Sequence, residues 1–163
     1  MSEGANPFFD AALTLAKAGY RVFPLTPNTK VAAIKEWPAL ATSKIQNVTA
    51  WWNTRAYADC NVGVATGDGL VVLDCDTKPP SKKWPKGRSG LDSLILLDTM
   101  GLEQSMRVAT PNDGVHVYLK TTTKWANSVD RLRDFPGIDI RGDGGYVVGP
   151  GSVIDGVPYR VLD

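Results

Sequence analysis

Three stretches of alternating sequence carry ionisable side chains on a single face. Side chains of a β-strand point alternately to the two faces of its sheet. We predict strands over Leu70–Asp76, Val115–Lys120 and Ile138–Arg141, each with an apolar face and a polar face. The polar face collects Asp74 and Asp76, then His116 and Tyr118, then Asp139 and Arg141. If these strands are neighbours, the ionisable groups meet in one cleft.

Such a cleft has an obvious chemistry. Carboxylates that share a site repel one another, and a divalent cation removes that repulsion. Carboxylate oxygens suit Mg²⁺ or Mn²⁺, which take phosphate oxygens of a substrate as further ligands. Two such ions would stabilise the attacking and leaving oxygens of a phosphoryl transfer, with His116 and Arg141 donating to a polyphosphate. Plainer interpretations also exist: an Asp-x-Asp turn pair, a structural histidine, and a salt bridge between Asp139 and Arg141.

The elements that must position these residues predict an α+β fold, with an antiparallel or mixed sheet that carries helices on one face. Asn6-Pro7 predicts the start of a helix that runs to about Lys17, and Tyr20–Leu25 predicts a strand. Further helices are predicted from a Ser43 cap through Trp52, over Gly90–Met100 and over Trp125–Arg133, with a loop at Thr26–Pro38. Glycine-rich turns predict hairpins at Gly67-Asp68-Gly69, Pro111-Asn112-Asp113-Gly114 and Gly142-Asp143-Gly144-Gly145.

A basic stretch interrupts this pattern between residues 78 and 88. The stretch contains no acid, and its cations surround an aromatic residue. The residues that matter are Lys82, Lys83, Trp84, Lys86 and Arg88. One hypothesis is an arm that contacts a nucleic-acid backbone while Trp84 stacks on a base. A solvated loop is the equally weighted alternative.

Composition narrows the class of protein. The 163 residues suit one domain, and a formal net charge of +1 provides no global basic field for a polyanion. One histidine excludes His-rich zinc sites, and we expect Cys60 and Cys75 to be buried free thiols in a reducing cytosol. We find no signal peptide, no apolar run that could span a membrane and no P-loop.

With these residues located, the chain resembles the archaeo-eukaryotic primase superfamily, and most of all the bifunctional primase–polymerase domains of phage and plasmid replication proteins. The resemblance runs from about Ala11 to Arg160. Three ordered motifs carry it: Leu70-Val71-Val72-Leu73-Asp74-Cys75-Asp76, Thr110-Pro111-Asn112-Asp113-Gly114-Val115-His116, and Ile138-Asp139-Ile140-Arg141-Gly142-Asp143-Gly144-Gly145-Tyr146-Val147-Val148. Asp113 departs from the glycine that is usual in the second motif.

The resemblance implies a two-lobed core, in which a small α/β unit accompanies a sheet like that of an RNA-recognition motif. It implies Asp74, Asp76 and Asp139 as metal ligands and His116 as the contact to the triphosphate. We add Arg141, Thr110 and Lys30 as further nucleotide contacts. The implied cofactor is Mg²⁺ or Mn²⁺, with two ions during catalysis and no zinc.

The function that follows is template-directed nucleotidyl transfer by a DNA primase or DNA polymerase, with DNA template and primer and (d)NTPs as partners. We expect a monomeric domain of a longer phage or plasmid replication protein that has a helicase region, acting in the cytoplasm of a bacterial host without a membrane. One alternative is a non-catalytic module that binds single-stranded nucleic acid. Another is a metal-dependent nucleotide-sugar transferase, which also uses Asp-x-Asp.

Overall fold

The computed structural model describes residues 4–77, 89–128 and 132–163. Its helices are α1 (Pro7–Lys17), α2 (Trp37–Leu40), α3 (Ile45–Trp52) and α4 (Gly90–Thr99). Its strands are β1 (Val22–Leu25), β2 (Asn61–Ala65), β3 (Leu70–Cys75), β4 (Met106–Ala109), β5 (Val115–Lys120), β6 (Ile138–Arg141), β7 (Tyr146–Val148), β8 (Val153–Ile154), β9 (Val157–Pro158) and β10 (Arg160–Leu162). Helices and antiparallel strands together confirm the predicted α+β class.

The chain forms two compact units, as the two-lobed expectation requires. The first contains the residues up to Ala65 together with Tyr146–Tyr159, and the second contains Thr66–Gly145 and Arg160–Asp163. The chain therefore passes from one unit to the other beside both of its Gly-Asp-Gly sequences.

The first unit is a three-stranded antiparallel sheet, in the order β1-β2-β7, against which α1 and α3 pack. Every residue of β1 and β2 is buried. The side-chain oxygen of Asn6 caps α1 as predicted, because it accepts from the backbone N–H groups of Phe8 and Phe9 at 3.0 and 3.2 Å. On α3, Val48 and Trp52 are the buried residues, so the predicted apolar stripe is confirmed in part.

The second unit is a five-stranded antiparallel sheet in the order β10-β4-β5-β3-β6. Along the chain, the elements between residues 70 and 141 are β3, α4, β4, β5 and β6. Across the sheet, these four strands lie in the order β4, β5, β3 and β6. The resemblance implied a sheet like that of an RNA-recognition motif, with helices on one face, and the second unit has an antiparallel sheet with α4 on one face. One face of the sheet packs against α4 through a core that includes Leu73, Cys75, Leu94, Val117 and Ile140.

Two of the three predicted hairpins are wrong. The turn between β4 and β5 is a true hairpin, but β2 pairs with β1 and β7 whereas β3 pairs with β5 and β6. The same holds for β6 and β7, which belong to different sheets. Glycine-rich turn chemistry permits a chain reversal but does not determine which strands pair afterwards.

Other local predictions also need correction. Lys44 rather than Ser43 is the N-cap residue of α3, without a side-chain capping bond. The predicted helix at 125–133 does not form in its described part, where Ala126 and Ser128 instead form isolated bridges to Asp143 and Ile140. Helix α2 begins at Trp37, at the end of the predicted loop at 26–38, and was not predicted. The short strands β8, β9 and β10 were not predicted either.

Candidate active site

The register of the second sheet places three of the predicted site residues in one row. Asp74 on β3 is the direct partner of His116 on β5 and of Asp139 on β6. Directly paired residues of neighbouring strands share a face, so the row continues through Val108, the partner of His116 on β4. The face is the one opposite α4, because Leu73, Val117 and Ile140 occupy the helix side.

The ionisable groups of this row lie within 4 Å of one another in three ion pairs. The Nε2 of His116 lies 3.4 Å from Oδ1 of Asp74. The guanidinium of Arg141 lies 3.6 Å from Oδ2 of Asp74 and 3.8 Å from Oδ2 of Asp139. These separations exceed the roughly 2.7–3.2 Å of a well-formed N–H···O bond. The four groups therefore form an electrostatic cluster, which we call the acid row, in which one guanidinium faces two carboxylates.

Burial differs along the acid row. His116 is almost fully buried, with 6% of its surface exposed, whereas the side chains of Asp74 and Asp139 are 32% and 27% exposed. The carboxylates are thus within reach of a ligand while the imidazole is held in place by its surroundings.

The open cleft that the alternating pattern suggested is only partly present. Tyr118 and Val72 lie on the same face as the acid row, in the next row towards the start of β3, and both are fully buried. Val108 is also fully buried. The polar face is therefore a small charged area bordered by packed apolar side chains, because strand alternation decides which face a residue takes but not whether that face is covered.

Asp76 is held by its backbone at the end of β3. Its N–H donates to the Gly137 carbonyl at 3.0 Å, and its own carbonyl accepts from the N–H of Gly90 at 2.7 Å. A Cβ on Gly90 would lie 2.3 Å from the Gly137 oxygen and 2.5 Å from the Asp76 nitrogen. Only glycine permits this crossing of α4 over the strand ends, and the sequence analysis missed its role. An unexplained glycine at a predicted helix start is the signal that could have revealed it.

The predicted three-carboxylate metal site is not assembled in these side-chain positions. Across the described residues, no three or more Asp, Glu, His or Cys side chains are grouped so as to hold a metal ion. Asp76 is exposed beyond the strand end, whereas Asp74 and Asp139 lie side by side. That pair fits Mg²⁺ or Mn²⁺ in donor type, since Mg²⁺ is commonly held by one or two carboxylates together with water and substrate phosphates.

Thr110 lies in the turn that precedes His116. Its N–H donates to the Gly114 carbonyl at 2.9 Å, and its carbonyl accepts from the N–H of Asp113 at 3.1 Å. Asp113 has a φ of +62°, a left-handed conformation that glycine adopts freely and aspartate tolerates. The glycine usual at this position in the resembling family therefore has a backbone explanation.

Gly142 and Gly145 serve close packing within the second unit rather than a hairpin. A Cβ on Gly142 would lie 2.0 Å from the Trp125 carbonyl oxygen, and one on Gly145 would lie 2.5 Å from Oδ1 of Asn127. The N–H of Asp143 donates to the Trp125 carbonyl at 2.7 Å. The segment of residues 125–128 thus lies against the end of β6, next to Arg141.

The other predicted contacts are distributed differently. Lys30 belongs to the first unit, where its carbonyl accepts from the hydroxyl of Tyr146 at 2.7 Å. The predicted nucleic-acid arm lies outside the described residues, and it comprises Lys82, Lys83, Trp84, Lys86 and Arg88. Both cysteines are buried and free, as predicted.

Comparison with protein families decides the assignment. A family model described as bifunctional DNA primase/polymerase, N-terminal, matches residues 12–163. The chain belongs to that Prim-Pol family. None of the curated proteins matches it in sequence. As a Prim-Pol domain it has a role in DNA primase/polymerase chemistry in general, with DNA and nucleotides as substrates.

The family match spans both units, and it covers the strands that carry Asp74, His116 and Asp139. Within its described residues, the Prim-Pol domain has no helix of the length and apolar character needed to cross a bilayer.

Proposed function

We propose that this Prim-Pol domain catalyses template-directed nucleotidyl transfer at the acid row, in the replication of a phage or plasmid genome. A 3′-hydroxyl oxygen attacks the α-phosphorus of an incoming (d)NTP, a new P–O bond forms, the bond to the β-phosphate oxygen breaks, and pyrophosphate leaves with the proton passing to solvent. The observation that carries the proposal is the direct pairing of Asp74 with both His116 and Asp139.

Each residue of the acid row has a distinct role in this proposal. Asp74 and Asp139 provide adjacent carboxylate oxygens for the cations, and Asp76 is the third acid, held at the strand end by its backbone bonds. Divalent ions bound there would stabilise the attacking and leaving oxygens of the transfer. His116 and Arg141 lie beside the carboxylates, where they can donate to the triphosphate.

The nearly complete burial of His116 supports its role as an oriented donor. A side chain held by its surroundings needs little reorganisation when charge develops on the triphosphate. Thr110, in the turn that leads into the same strand, provides a second polar group close to His116 in sequence. Lys30 and the basic arm remain proposed contacts of the nucleotide and of the template.

A non-catalytic module that binds single strands is less well supported by the same face. Such sheets bind bases by stacking them on exposed aromatic side chains. Of the residues in the five strands of the second sheet, Tyr118 alone is aromatic, and it is fully buried. The partly exposed groups of the acid row are instead two carboxylates and one guanidinium, which provide no surface on which a base could stack. A nucleotide-sugar transferase would use Asp74 and Asp76 but would leave the pairing of Asp74 with His116 without a purpose.

Primer extension tests the proposal. The wild-type chain, Asp74→Asn and Asp139→Asn are incubated with primed DNA, dNTPs and Mg²⁺ or Mn²⁺, and thermal unfolding confirms that each variant is folded. We expect each substitution to lower the extension rate at least about 100-fold, since it removes a ligand of the cations that stabilise the transition state. Asp98→Asn is the matched control, because Asp98 pairs with Arg107 on the helix side of the same sheet.

Three results would contradict the assignment. Extension at the wild-type rate by Asp74→Asn or Asp139→Asn would show that the acid row is not the reaction centre. Metal-independent binding of single-stranded DNA by a wild-type chain that incorporates no nucleotide would favour the binding module. Turnover of a sugar nucleotide in place of a dNTP would favour the transferase.

A further inference from the structure

Trp125 is the only exposed aromatic residue in the part of the chain that the structure describes, with 44% of its surface open to solvent. Every other aromatic residue there is buried or partly buried. A single exposed apolar residue is common on protein surfaces and has no meaning by itself. The position of Trp125 gains significance from the residues that hold its backbone and from the charges beside it.

The third motif fixes the backbone of Trp125 beside β6. The N–H of Asp143 donates to the Trp125 carbonyl at 2.7 Å. A Cβ on Gly142 would lie 2.0 Å from the same carbonyl oxygen, so glycine alone permits this close approach. Further along the chain, Ser128 and Ile140 exchange two backbone hydrogen bonds, at 2.8 and 2.9 Å. The chain around Trp125 therefore forms an edge beside β6, and the indole extends from a backbone that is already held in place.

The charges around Trp125 favour an anionic partner. Lys120 and Lys124 are both exposed, one at the end of β5 and one directly before Trp125. From the start of β5 to Trp125 the sequence contains no acid. Asp143 contacts Trp125 through its backbone, and its carboxylate oxygen Oδ1 lies beside Gly67. The residues that precede the indole are thus cationic or uncharged, which suits the phosphates of a nucleic acid.

The acid row lies at a distance from this surface. Lys120 follows His116 by four positions on β5, which at about 3.3 Å per residue corresponds to about 13 Å. Because the spacing is even, both side chains take the same face of the sheet. A strand of DNA that is bound at Lys120 can therefore extend along this face towards the acid row, and loss of Trp125 should leave the reacting groups undisturbed.

We propose that Lys120, Lys124 and Trp125, which we call the basic edge, bind the single-stranded template, with the two ammonium groups at its phosphates and the indole stacked on a base. Aromatic stacking combined with cations along the backbone is the usual means of binding single strands without sequence preference. A protein partner fits less well, because stable interfaces bury about 800 Å² on each side and one indole provides only a small part of that. The inference rests on the proposed function, since it takes synthesis at the acid row to be directed by a template.

Binding of a labelled oligodeoxythymidylate, measured by fluorescence anisotropy without nucleotide, tests the stacking. We expect Trp125→Ala to weaken the affinity about 10-fold, and Trp125→Phe, which keeps an aromatic ring, to stay within about threefold of the wild type. Ile95→Ala is the matched control, because it removes an apolar side chain that is 63% exposed on α4, on the other side of the same sheet. It should leave the affinity unchanged.

An abasic oligonucleotide of the same length separates stacking from a structural effect of the substitution. The wild type should prefer the intact strand, and we expect Trp125→Ala to reduce that preference about 10-fold, because the indole has no base to stack on in the abasic strand. An unchanged preference, or an equal loss of affinity for both strands, would overturn the stacking role. A wild type that binds no single-stranded DNA would overturn the whole inference.

The salt dependence of binding tests the two lysines. Lys120→Gln and Lys124→Gln should each reduce the slope of log K against log salt concentration by about 0.7, the value for one phosphate contact on a single strand. Trp125→Ala should leave the slope unchanged, because stacking releases no counterions. Lys17→Gln, at the exposed end of α1 in the first unit, is the control for the lost charge. An unchanged slope in both variants of the basic edge would overturn its contact with the phosphates.

Primer extension distinguishes failure of the inference from failure of the proposed function. If both hold, Trp125→Ala raises the KM for primed template about 10-fold and leaves kcat within about twofold, since the lost contact is away from the reacting atoms. A wild type that extends primers, alongside a Trp125→Ala variant with unchanged DNA affinity, overturns the basic edge alone. A wild type that binds single strands through Trp125 and incorporates no nucleotide supports the basic edge as a binding surface and overturns the proposed function.

Discussion

The polar residues of the two units are held in very different ways. In the first unit, Asn61 and Ser152 are both 0% exposed. The amide of Asn61 donates to the carbonyls of Thr29 and Val153 at 3.2 and 3.0 Å and accepts from the Val153 N–H at 2.9 Å. In the acid row of the second unit, the side chains of Asp74, Asp139 and Arg141 are 32%, 27% and 29% exposed, and the Arg141 guanidinium lies 3.6 and 3.8 Å from the two carboxylates.

That difference distinguishes polar residues that stabilise the fold from polar residues that are available to a ligand. A buried amide whose hydrogen bonds all go to backbone groups stabilises the fold and has nothing left to offer a ligand. Partly exposed salt bridges contribute only about 0–1 kcal/mol to stability. The carboxylates of the acid row keep part of their surface open to a ligand, which supports the role in binding and chemistry that we propose.

Removal of the Asn61 amide is the strongest test of the structural side. Asn61→Ala leaves two carbonyls and one N–H, all partly buried, without their partner, and we expect the free energy of unfolding to fall by about 2 kcal/mol. Urea denaturation measures it. The exposed Asn53 provides a control, and Asn53→Ala should change stability by about 0.5 kcal/mol or less. The primer-extension rate per folded molecule should be unchanged in both.

A loss below about 1 kcal/mol for Asn61→Ala would remove the distinction that we draw between the units. Conversely, Asp74→Asn should leave the free energy of unfolding within about 1 kcal/mol of the wild type. A large loss there would show that the acid row is structural after all.

Substitution of Gly90 should affect both the stability of the fold and the activity of the acid row. Gly90→Ala places a methyl group against the backbone of Gly137 and Asp76, and we expect the free energy of unfolding to fall by about 2 kcal/mol. Because the same crossing fixes the backbone of Asp76, primer extension should fall as well. Thr99→Ala changes an exposed side chain near the other end of α4 and should affect neither. Full activity of the folded Gly90→Ala chain would argue against a role for Asp76.

A substitution in the turn before His116 should change the free energy of unfolding by a smaller amount, and should increase it. Asp113 holds a φ of +62°, so Asp113→Gly relieves a conformation that side chains disfavour. We expect the variant to be more stable by about 0.5–1 kcal/mol, measured by thermal unfolding. Asp113→Ala, which keeps a Cβ and loses the polar group, should be less stable than the wild type. A destabilised Asp113→Gly would show that the carboxylate matters more than the backbone strain.

The two cysteines allow the thiol pKa to be compared between the units, because each unit contains one cysteine. Burial, together with the charge of Asp59, raises the pKa of the Cys60 thiol. Burial, with the charge of Asp74 adding to it, raises the pKa of the Cys75 thiol to about 12. A thiol with a raised pKa stays protonated and unreactive, so Cys75 should resist a small alkylating reagent at pH 8 and 25 °C in the folded chain.

The same shift has a consequence for stability. The folded chain binds the Cys75 proton more tightly than the unfolded chain, so this contribution is fully present below the ordinary pKa of 9.0 and is lost between pH 9 and about 12. Denaturation measured against pH checks it, with Cys75→Ser as the comparison. Rapid alkylation of Cys75 at pH 8 in folded protein would show that β3 opens or that its burial is incomplete.

The sequence by itself determined what depends on neighbouring residues only. The cap of α1, the hairpin of β4 and β5, and the faces taken by Asp74, His116 and Asp139 all follow from local chain geometry. The family motifs added the roles implied for these residues, and the pairing of their strands came from the structure.

The tertiary structure decided which strands pair, what is covered and which acids meet. A Gly-Asp-Gly turn has the same sequence whether the two strands that flank it pair with each other or join different sheets. The turn therefore did not predict that β2 and β3 belong to different sheets. The burial of Tyr118, the crossing at Gly90 and the position of Arg141 between two carboxylates likewise arise from residues far apart in the chain. Their physical reason is packing and register, which no local pattern records.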